Sequence, residues 1–169
     1  MSVVNNAAWA VGEIALKHGS EMAPWVPHLL QRLIPLLHAE KMPRTLLENS
    51  GIALARLGLV CPTAVAPHLN TFILPWCHSL RALKDNPEKE SAYLGICALI
   101  QLNPQAVIPS FVYWADAIVS WNDPSQTLKN SFVHVLNGVR GMMGDEMFLN
   151  HVNAFPAPVR QKLSDQYQI

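Results

Sequence analysis

The chain has 169 residues, of which 50% are hydrophobic and 14% charged, and its 12 basic and 12 acidic residues give a formal net charge of zero. This composition predicts a packed structure and argues against a surface that binds nucleic acid or an anionic membrane. No apolar run approaches the ~18 residues of a membrane span, and the N-terminus lacks the pattern of a signal peptide.

The first predicted element is a helix at about 3–18. Apolar residues recur in it at helical spacing and predict a stripe that faces the core, formed by Val4, Ala7, Ala8, Val11, Ile14 and Ala15. Trp9 lies off this stripe, on a more polar face with Asn6 and Glu13. Either a neighbouring element or a binding partner would cover this large aromatic side chain, and the pattern leaves both explanations open.

Three later segments share a proline early in a helical pattern, at spacings of 43 and 42 residues: Pro24, Pro67 and Pro109. Proline is tolerated in the first turn of a helix, where its missing N–H would have no partner. These segments are predicted as the A helices of a repeat, at about 22–38, 64–82 and 105–121.

A second helix, the B helix, follows each A helix, at about 44–60, 88–102 and 125–142, and the opening helix has the same character. A glycine recurs in all four: Gly12, Gly51, Gly95 and Gly138. Because glycine costs a helix interior roughly 1 kcal/mol relative to alanine, this recurrence indicates close approach of a packed neighbour. Short helices at about 145–153 and 157–167 finish the chain.

Helix pairs that repeat every ~40–47 residues are typical of HEAT and armadillo arrays. We predict an all-α fold, a HEAT-repeat solenoid, as a single array over 1–169 with pairs at about 22–60, 64–102 and 105–142. The opening helix has no A partner in this division. We expect either that the chain is cut from a longer solenoid or that this face docks on something else.

The B helices of a solenoid line its concave side, the usual binding surface. In the second B helix, Ile52 stands in an otherwise polar stripe that includes Arg56, as Trp9 does in the first. Ile52 follows Trp9 by 43 residues, and Asn49 follows Asn6 by the same number. Equivalent places on adjacent helices, about 8–10 Å apart, predict one apolar patch flanked by asparagines that hydrogen-bond an extended peptide. The alternative is ordinary packing of Trp9 over the next repeat.

Several blocks of sequence resemble the C-terminal region of the transportin, or karyopherin-beta 2, class of nuclear import receptors. The first reads Asn-Asn-Ala-Ala-Trp-Ala-Val-Gly-Glu-Ile, and the blocks lie at 5–14, 45–49, 56–62, 65–67, 75–81 and 95–97. The resemblance implies a part of a receptor that binds nuclear localisation signals of the proline–tyrosine type. Such signals are extended, disordered in isolation and basic overall.

By this resemblance, Trp9 matches the family tryptophan that receives the N-terminal hydrophobic motif of the signal. Ile52 and Pro43 match its pocket neighbours, and Asn49 and Asn6 stand at matching places for polar contacts. The partners implied are cargo proteins, often RNA-binding ones, together with the small GTPase Ran through regions upstream of this chain. The expected location is the cytoplasm and the nucleus, with passage through the nuclear pore.

A further pocket residue of the family would fall at about Met1, and we expect a C-terminal fragment or a shortened gene product. A HEAT-repeat scaffold without receptor activity is the rival hypothesis. The seven histidines show no zinc-site spacing, and no P-loop, GxGxxG or GxSxG pattern occurs. Cys61, Cys77 and Cys97 are far apart, which indicates reduced thiols. We predict a binding protein that is not an enzyme and has no metal and no cofactor.

Overall fold

The computed structural model describes residues 2–169, and no strand occurs among them. Its α-helices are, in chain order, α1 (Ser2–His18), α2 (Val26–His38), α3 (Arg44–Val60), α4 (Pro62–Val65), α5 (Leu69–Leu80), α6 (Pro87–Leu102), α7 (Phe111–Ile118), α8 (Gln126–Met143), α9 (Asp145–Asn153) and α10 (Ala157–Tyr167). The pocket position expected at about Met1 lies outside the described residues.

The longer helices form two layers. Helices α1, α3, α6 and α8 pack side by side in one layer, and α2, α5 and α7 pack in the other. Helix α3 also contacts α2 and α5, so the core lies between the layers, where Leu54, Phe72 and Trp76 are fully buried. Two stacked layers of antiparallel helices are the architecture of a HEAT-repeat solenoid. The predicted all-α HEAT fold is therefore confirmed.

Each predicted A helix contains a 3₁₀ segment near its start, preceded in the second one by the short helix α4, which the sequence pattern did not indicate. The three recurring prolines lie in the segments Gly19–Trp25, Ala66–His68 and Pro104–Ser110. The α-helices that follow begin only at Val26, Leu69 and Phe111. Proline has no N–H to donate, and its ring crowds the carbonyl group of the preceding turn. A short 3₁₀ segment at the proline avoids a run of α-helical hydrogen bonds there.

The recurring glycines differ in how closely their neighbours approach. A Cβ atom on Gly95 would stand 1.9 Å from the carbonyl oxygen of Ala55, and one on Gly51 would stand 2.4 Å from a methyl carbon of Leu80. A Cβ on Gly138 would have no atom within 4 Å. The prediction of close packing is therefore right for the glycines of α3 and α6 and wrong for the glycine of α8.

The apolar stripe of α1 is only partly in the core. Ala8 and Ala15 are buried against the array, whereas Val4 and Ile14 are 46% and 48% exposed. Helix α1 packs on α3 and on the 3₁₀ segment Gly19–Trp25, and these contacts cover one side of the stripe. The prediction that the whole stripe faces a core is therefore wrong for Val4 and Ile14, and also for Ala7, which is exposed.

Candidate peptide-binding surface

Trp9 lies in the middle of α1 and reaches across α3 to α6. Its indole Nε1–H donates a hydrogen bond of 2.9 Å to the Glu88 carboxylate, and Glu88 lies in the first turn of α6. Because α3 lies between α1 and α6 in the layer, the indole spans the intervening helix. The side chain is nevertheless 46% exposed. Trp9 is thus packed over its neighbours and also open to a partner.

Two side-chain pairs fix the register of α1 against α3. Asn49 donates from Nδ2 to Oδ1 of Asn5 over 3.1 Å, and Arg56 forms an ion pair with Glu13. These partners are 44 and 43 residues apart. The same register brings Ile52 opposite Trp9.

Ile52 is buried, contrary to its predicted place in an exposed polar stripe. Its side chain is 4% exposed, and residues 50–58 are all buried. Helix α3 is the central helix of the described array, with α1 and α6 on its two sides and α2 and α5 behind it. The predicted open patch of Trp9 and Ile52 is therefore wrong for Ile52, and of these two residues Trp9 is the exposed one.

The two predicted asparagines have different surroundings. The amide of Asn49 bonds to Asn5, whereas both Asn49 and Asn6 were predicted to be available to an extended peptide. Successive residues of a helix point in different directions, so only one of Asn5 and Asn6 can face α3. Asn6 is exposed, and its amide is open to a partner.

Pro43 stands immediately before α3 and is half-buried. Its carbonyl oxygen accepts hydrogen bonds from the backbone N–H groups of Leu46 and Leu47, at 3.0 and 3.2 Å. The adjacent Arg44 donates from Nη2 to the carbonyl oxygen of Ala82 over 2.9 Å. The start of α3, where Pro43 lies, is therefore held against the turn that follows α5 in the next repeat.

Arg56 joins three successive B helices, which the sequence analysis did not predict. Its guanidinium pairs with Glu13 of α1 and donates from Nε to the hydroxyl of Ser91 in α6 over 2.9 Å. The Ser91 hydroxyl in turn donates to the backbone carbonyl of Glu88 over 2.8 Å. Gly12 leaves room for the arginine, because a Cβ there would stand 3.3 Å from its Cδ. The signal in the sequence was the pair of opposite charges one repeat apart.

The first turn of α6, which presents Glu88, is firmly anchored. Asn86 accepts a hydrogen bond of 2.8 Å from the backbone N–H of Lys89 and so caps the helix. The Lys89 side chain is 1% exposed, and its Nζ lies 2.8 Å from the carboxylate of Asp85. The same ammonium group lies 4.4 Å from the centre of the Trp121 ring, within the range of a cation–π interaction. The turn therefore has little freedom to move.

A second apolar surface lies between α1 and α2. It is a groove of about 380 Å³ walled by Ile14, Met22 and Trp25, among others, and Trp25 is 62% exposed. None of the predicted site residues lines it. The other tryptophans outside α1, Trp76, Trp114 and Trp121, are buried.

Within residues 2–169, no single helix is long and apolar enough to cross a membrane. Helix α6 and the segment Pro104–Ile118 reach that length and hydropathy only together, bent by 112° at the break. The same part of the chain has no group of three or more His, Cys, Asp or Glu side chains that could hold a metal ion. The three thiols are buried and free.

Known proteins are similar in sequence to this chain, over all of the residues that form this surface. Transportin-1 of Homo sapiens is 44% identical over 169 residues, which are 100% of this chain and 19% of the relative. The chain is homologous to transportins along its whole length. Transportin-1 of Oryza sativa subsp. japonica is 39% identical over 165 residues, 96% of this chain and 18% of that protein.

Importin subunit beta-2 of Schizosaccharomyces pombe is 40% identical over 141 residues, 82% of this chain and 15% of that protein. No protein-family model matches the chain. The predicted resemblance to transportins is therefore confirmed. This transportin homologue spans about a fifth of the length of the relatives that it matches.

Proposed function

We propose that this chain is the C-terminal cargo-binding part of a nuclear import receptor of the transportin class. It binds proline–tyrosine-type nuclear localisation signals through their N-terminal hydrophobic motif. The observation that supports this proposal most is Trp9, a large apolar side chain that is 46% exposed on the α1–α3–α6 layer. An aromatic ring anchored by a hydrogen bond offers a rigid apolar face to an extended peptide.

The other site residues each have a different role in this proposal. Ile52 backs the ring from α3 without open surface of its own, and Pro43 bounds the site at the start of α3. Asn6 offers its exposed amide to the peptide backbone. Asn49 acts through its bond to Asn5, which holds α1 in register with α3.

The proposed mechanism is equilibrium binding without catalysis and without a cofactor. Burial of one apolar side chain on Trp9 contributes roughly 1.5–3 kcal/mol, and ordering of a flexible peptide costs a comparable amount. The isolated site therefore binds weakly, with a Kd near the ~1 mM range. Linkage to a second site in a longer receptor raises the overall affinity through effective concentration.

The partners in this proposal are cargo proteins with such signals, often RNA-binding proteins. Ran GTPase acts on the full-length receptor through other regions, and neither nucleic acid nor membrane binds directly. A shuttling receptor of this kind works in both the cytoplasm and the nucleus. We further propose that residues 1–169 form one continuous HEAT array, with the pairs and the partnerless opening helix that the sequence pattern predicts.

Fluorescence anisotropy of a labelled signal peptide tests this function. Wild-type chain, Trp9→Ala and Trp25→Ala are titrated up to millimolar protein after circular dichroism has established that all three are folded. Trp25 is a matched control, because it is also an exposed tryptophan but lies in the separate groove between α1 and α2. We expect binding that Trp9→Ala weakens at least about tenfold, or ~1.4 kcal/mol, and that Trp25→Ala leaves unchanged. Equal binding by all three proteins, or binding by none, would contradict the proposal.

A HEAT-repeat scaffold is the second candidate function. The exposed Ile14 and Trp25 in the α1–α2 groove favour it, because a large exposed apolar area marks many protein–protein contacts. Sedimentation of the wild-type chain over a hundredfold range of concentration separates the two candidates. A mass that rises with concentration and returns to the monomer value in Trp25→Ala would support the scaffold.

A further inference from the structure

We propose that Glu88 is the positioning residue of the peptide site: its carboxylate holds the Trp9 indole across α3 so that one face of the ring stays open to the ligand. This inference rests on the proposed function and adds a residue to it. Glu88 lies 79 residues away from Trp9 in the chain and outside the sequence blocks that indicated the site.

The geometry makes Glu88 the residue that fixes the ring. The indole has one donor, and that donor bonds to Glu88 Oε1 over 2.9 Å. With 46% of its surface exposed, the Trp9 side chain is less confined by packing than a core residue. Exposed side chains keep several rotamers when no specific bond selects one. The bond to Glu88 therefore selects the conformation in which the ring crosses α3.

The acceptor is itself preorganised. The Ser91 hydroxyl donates to the Glu88 backbone carbonyl over 2.8 Å, and the neighbouring Lys89 is buried against Asp85. Asn86 caps the same turn. These bonds hold the backbone of Glu88 before any ligand binds. A site whose parts are already in place loses less entropy when a peptide docks.

Nearby carboxylates have other partners and do not replace Glu88. Glu13, on the helix that bears Trp9, pairs with Arg56. Glu90, two residues after Glu88, accepts a hydrogen bond from the hydroxyl of Ser125. Among these three carboxylates, only that of Glu88 bonds to the indole.

The test compares Glu88→Ala, Glu88→Gln and Glu40→Ala. Glutamine keeps an acceptor oxygen, whereas alanine removes it. Glu40→Ala removes an equal charge from an exposed residue between α2 and α3 and is the control. In the peptide titration, a lost hydrogen bond predicts about fivefold weaker binding by Glu88→Ala, with Glu88→Gln and Glu40→Ala within about twofold of wild type.

A ligand-free measurement separates this inference from the proposed function. The chain has five tryptophans, and Trp9→Phe identifies the Trp9 indole N–H resonance in a ¹⁵N–¹H NMR spectrum. We expect Glu88→Ala to move that resonance and to speed its exchange with solvent, while the other indole resonances stay in place and Glu40→Ala changes none.

The outcomes distinguish the role of Glu88 from the proposed peptide-binding function. An unmoved Trp9 resonance in Glu88→Ala would overturn the inference. A moved resonance with unchanged peptide affinity would overturn the role of the bond in binding. If the wild-type chain binds no peptide, the proposed function and the role of Glu88 in it both fall, and a moved resonance would then show a bond that serves the fold alone.

Discussion

Gly95 of α6 lies so close to Ala55 of α3 that a Cβ atom on the glycine would stand 1.9 Å from the alanine carbonyl oxygen and 2.7 Å from its carbonyl carbon. The obstacle is backbone, so no side chain can turn aside to make room. We expect Gly95→Ala to push α6 away from α3 and to lower the free energy of unfolding by about 3 kcal/mol or more. Urea denaturation followed by circular dichroism measures the change.

Gly138→Ala is the matched control for that substitution. Gly138 also lies inside a B helix, α8, but a Cβ there would meet no atom within 4 Å. Alanine in an open helix interior is favoured over glycine, so we expect a gain of about 0.5–1 kcal/mol. Equal effects of the two substitutions would contradict the close α3–α6 contact.

Replacement of Lys89 tests the buried ammonium group. Lys89→Ala leaves Asp85 without its cation and opens space beside Trp121. Loss of one partner from a buried pair costs about 3–5 kcal/mol, and we expect a loss near the lower end because Asp85 is 24% exposed. Lys129→Ala, at an exposed position of α8, should change the stability by less than about 0.5 kcal/mol. Thermal and urea denaturation of both variants provide the comparison.

The same ion pair predicts a dependence of stability on pH. Burial by itself raises the pKa of Asp85. The hydrogen bonds from Lys89 and from the backbone N–H of Asn122 lower it by more, so the net pKa lies below its usual value. A depressed folded-state pKa stabilises the fold above the unfolded value of about 3.9, and this contribution is lost as the pH falls through the folded pKa.

Asp85→Asn removes that titration. We therefore expect the difference in urea midpoint between wild type and Asp85→Asn to be largest near neutral pH and to shrink as the pH falls below about 4. Midpoints measured from pH 3 to pH 7 test this expectation. A difference that is constant across the range would show that Asp85 titrates as it does in the unfolded chain.

The cysteines provide a test of core packing. Burial raises the pKa of Cys61, Cys77 and Cys97, so their thiols stay protonated and covered in the folded chain. Only a thiolate reacts rapidly with an aromatic disulfide reagent. We expect slow labelling at pH 8 in the absence of denaturant and rapid labelling of all three in high urea. Rapid labelling of the folded chain would contradict the buried environment.

Local sequence signals account for most of the helices. The structure has α3 at Arg44–Val60, where the apolar pattern predicts a helix at 44–60, because apolar periodicity and flanking prolines are both local. The 3₁₀ segments were missed because a proline near a helix start fits a first α-turn and a 3₁₀ turn equally well.

The candidate site was less predictable, because it depends on contacts between repeats. A helical pattern assigned Ile52 and Arg56 to an outer face, yet both are 4% exposed. The pattern of one helix does not reveal that neighbours cover it on both sides. Glu88 was missed for the same reason, since its bond to Trp9 crosses an intervening helix and joins residues 79 positions apart.

The contacts of Arg56 also have a mechanical consequence. Its guanidinium is tied to Glu13 on one side and to Ser91 on the other, so a load that pulls α1 away from α6 passes through this side chain and through the Trp9–Glu88 bond. That side chain is buried, and water cannot readily replace its bonds as they stretch. We therefore expect α1, α3 and α6 to move together when the array is stretched.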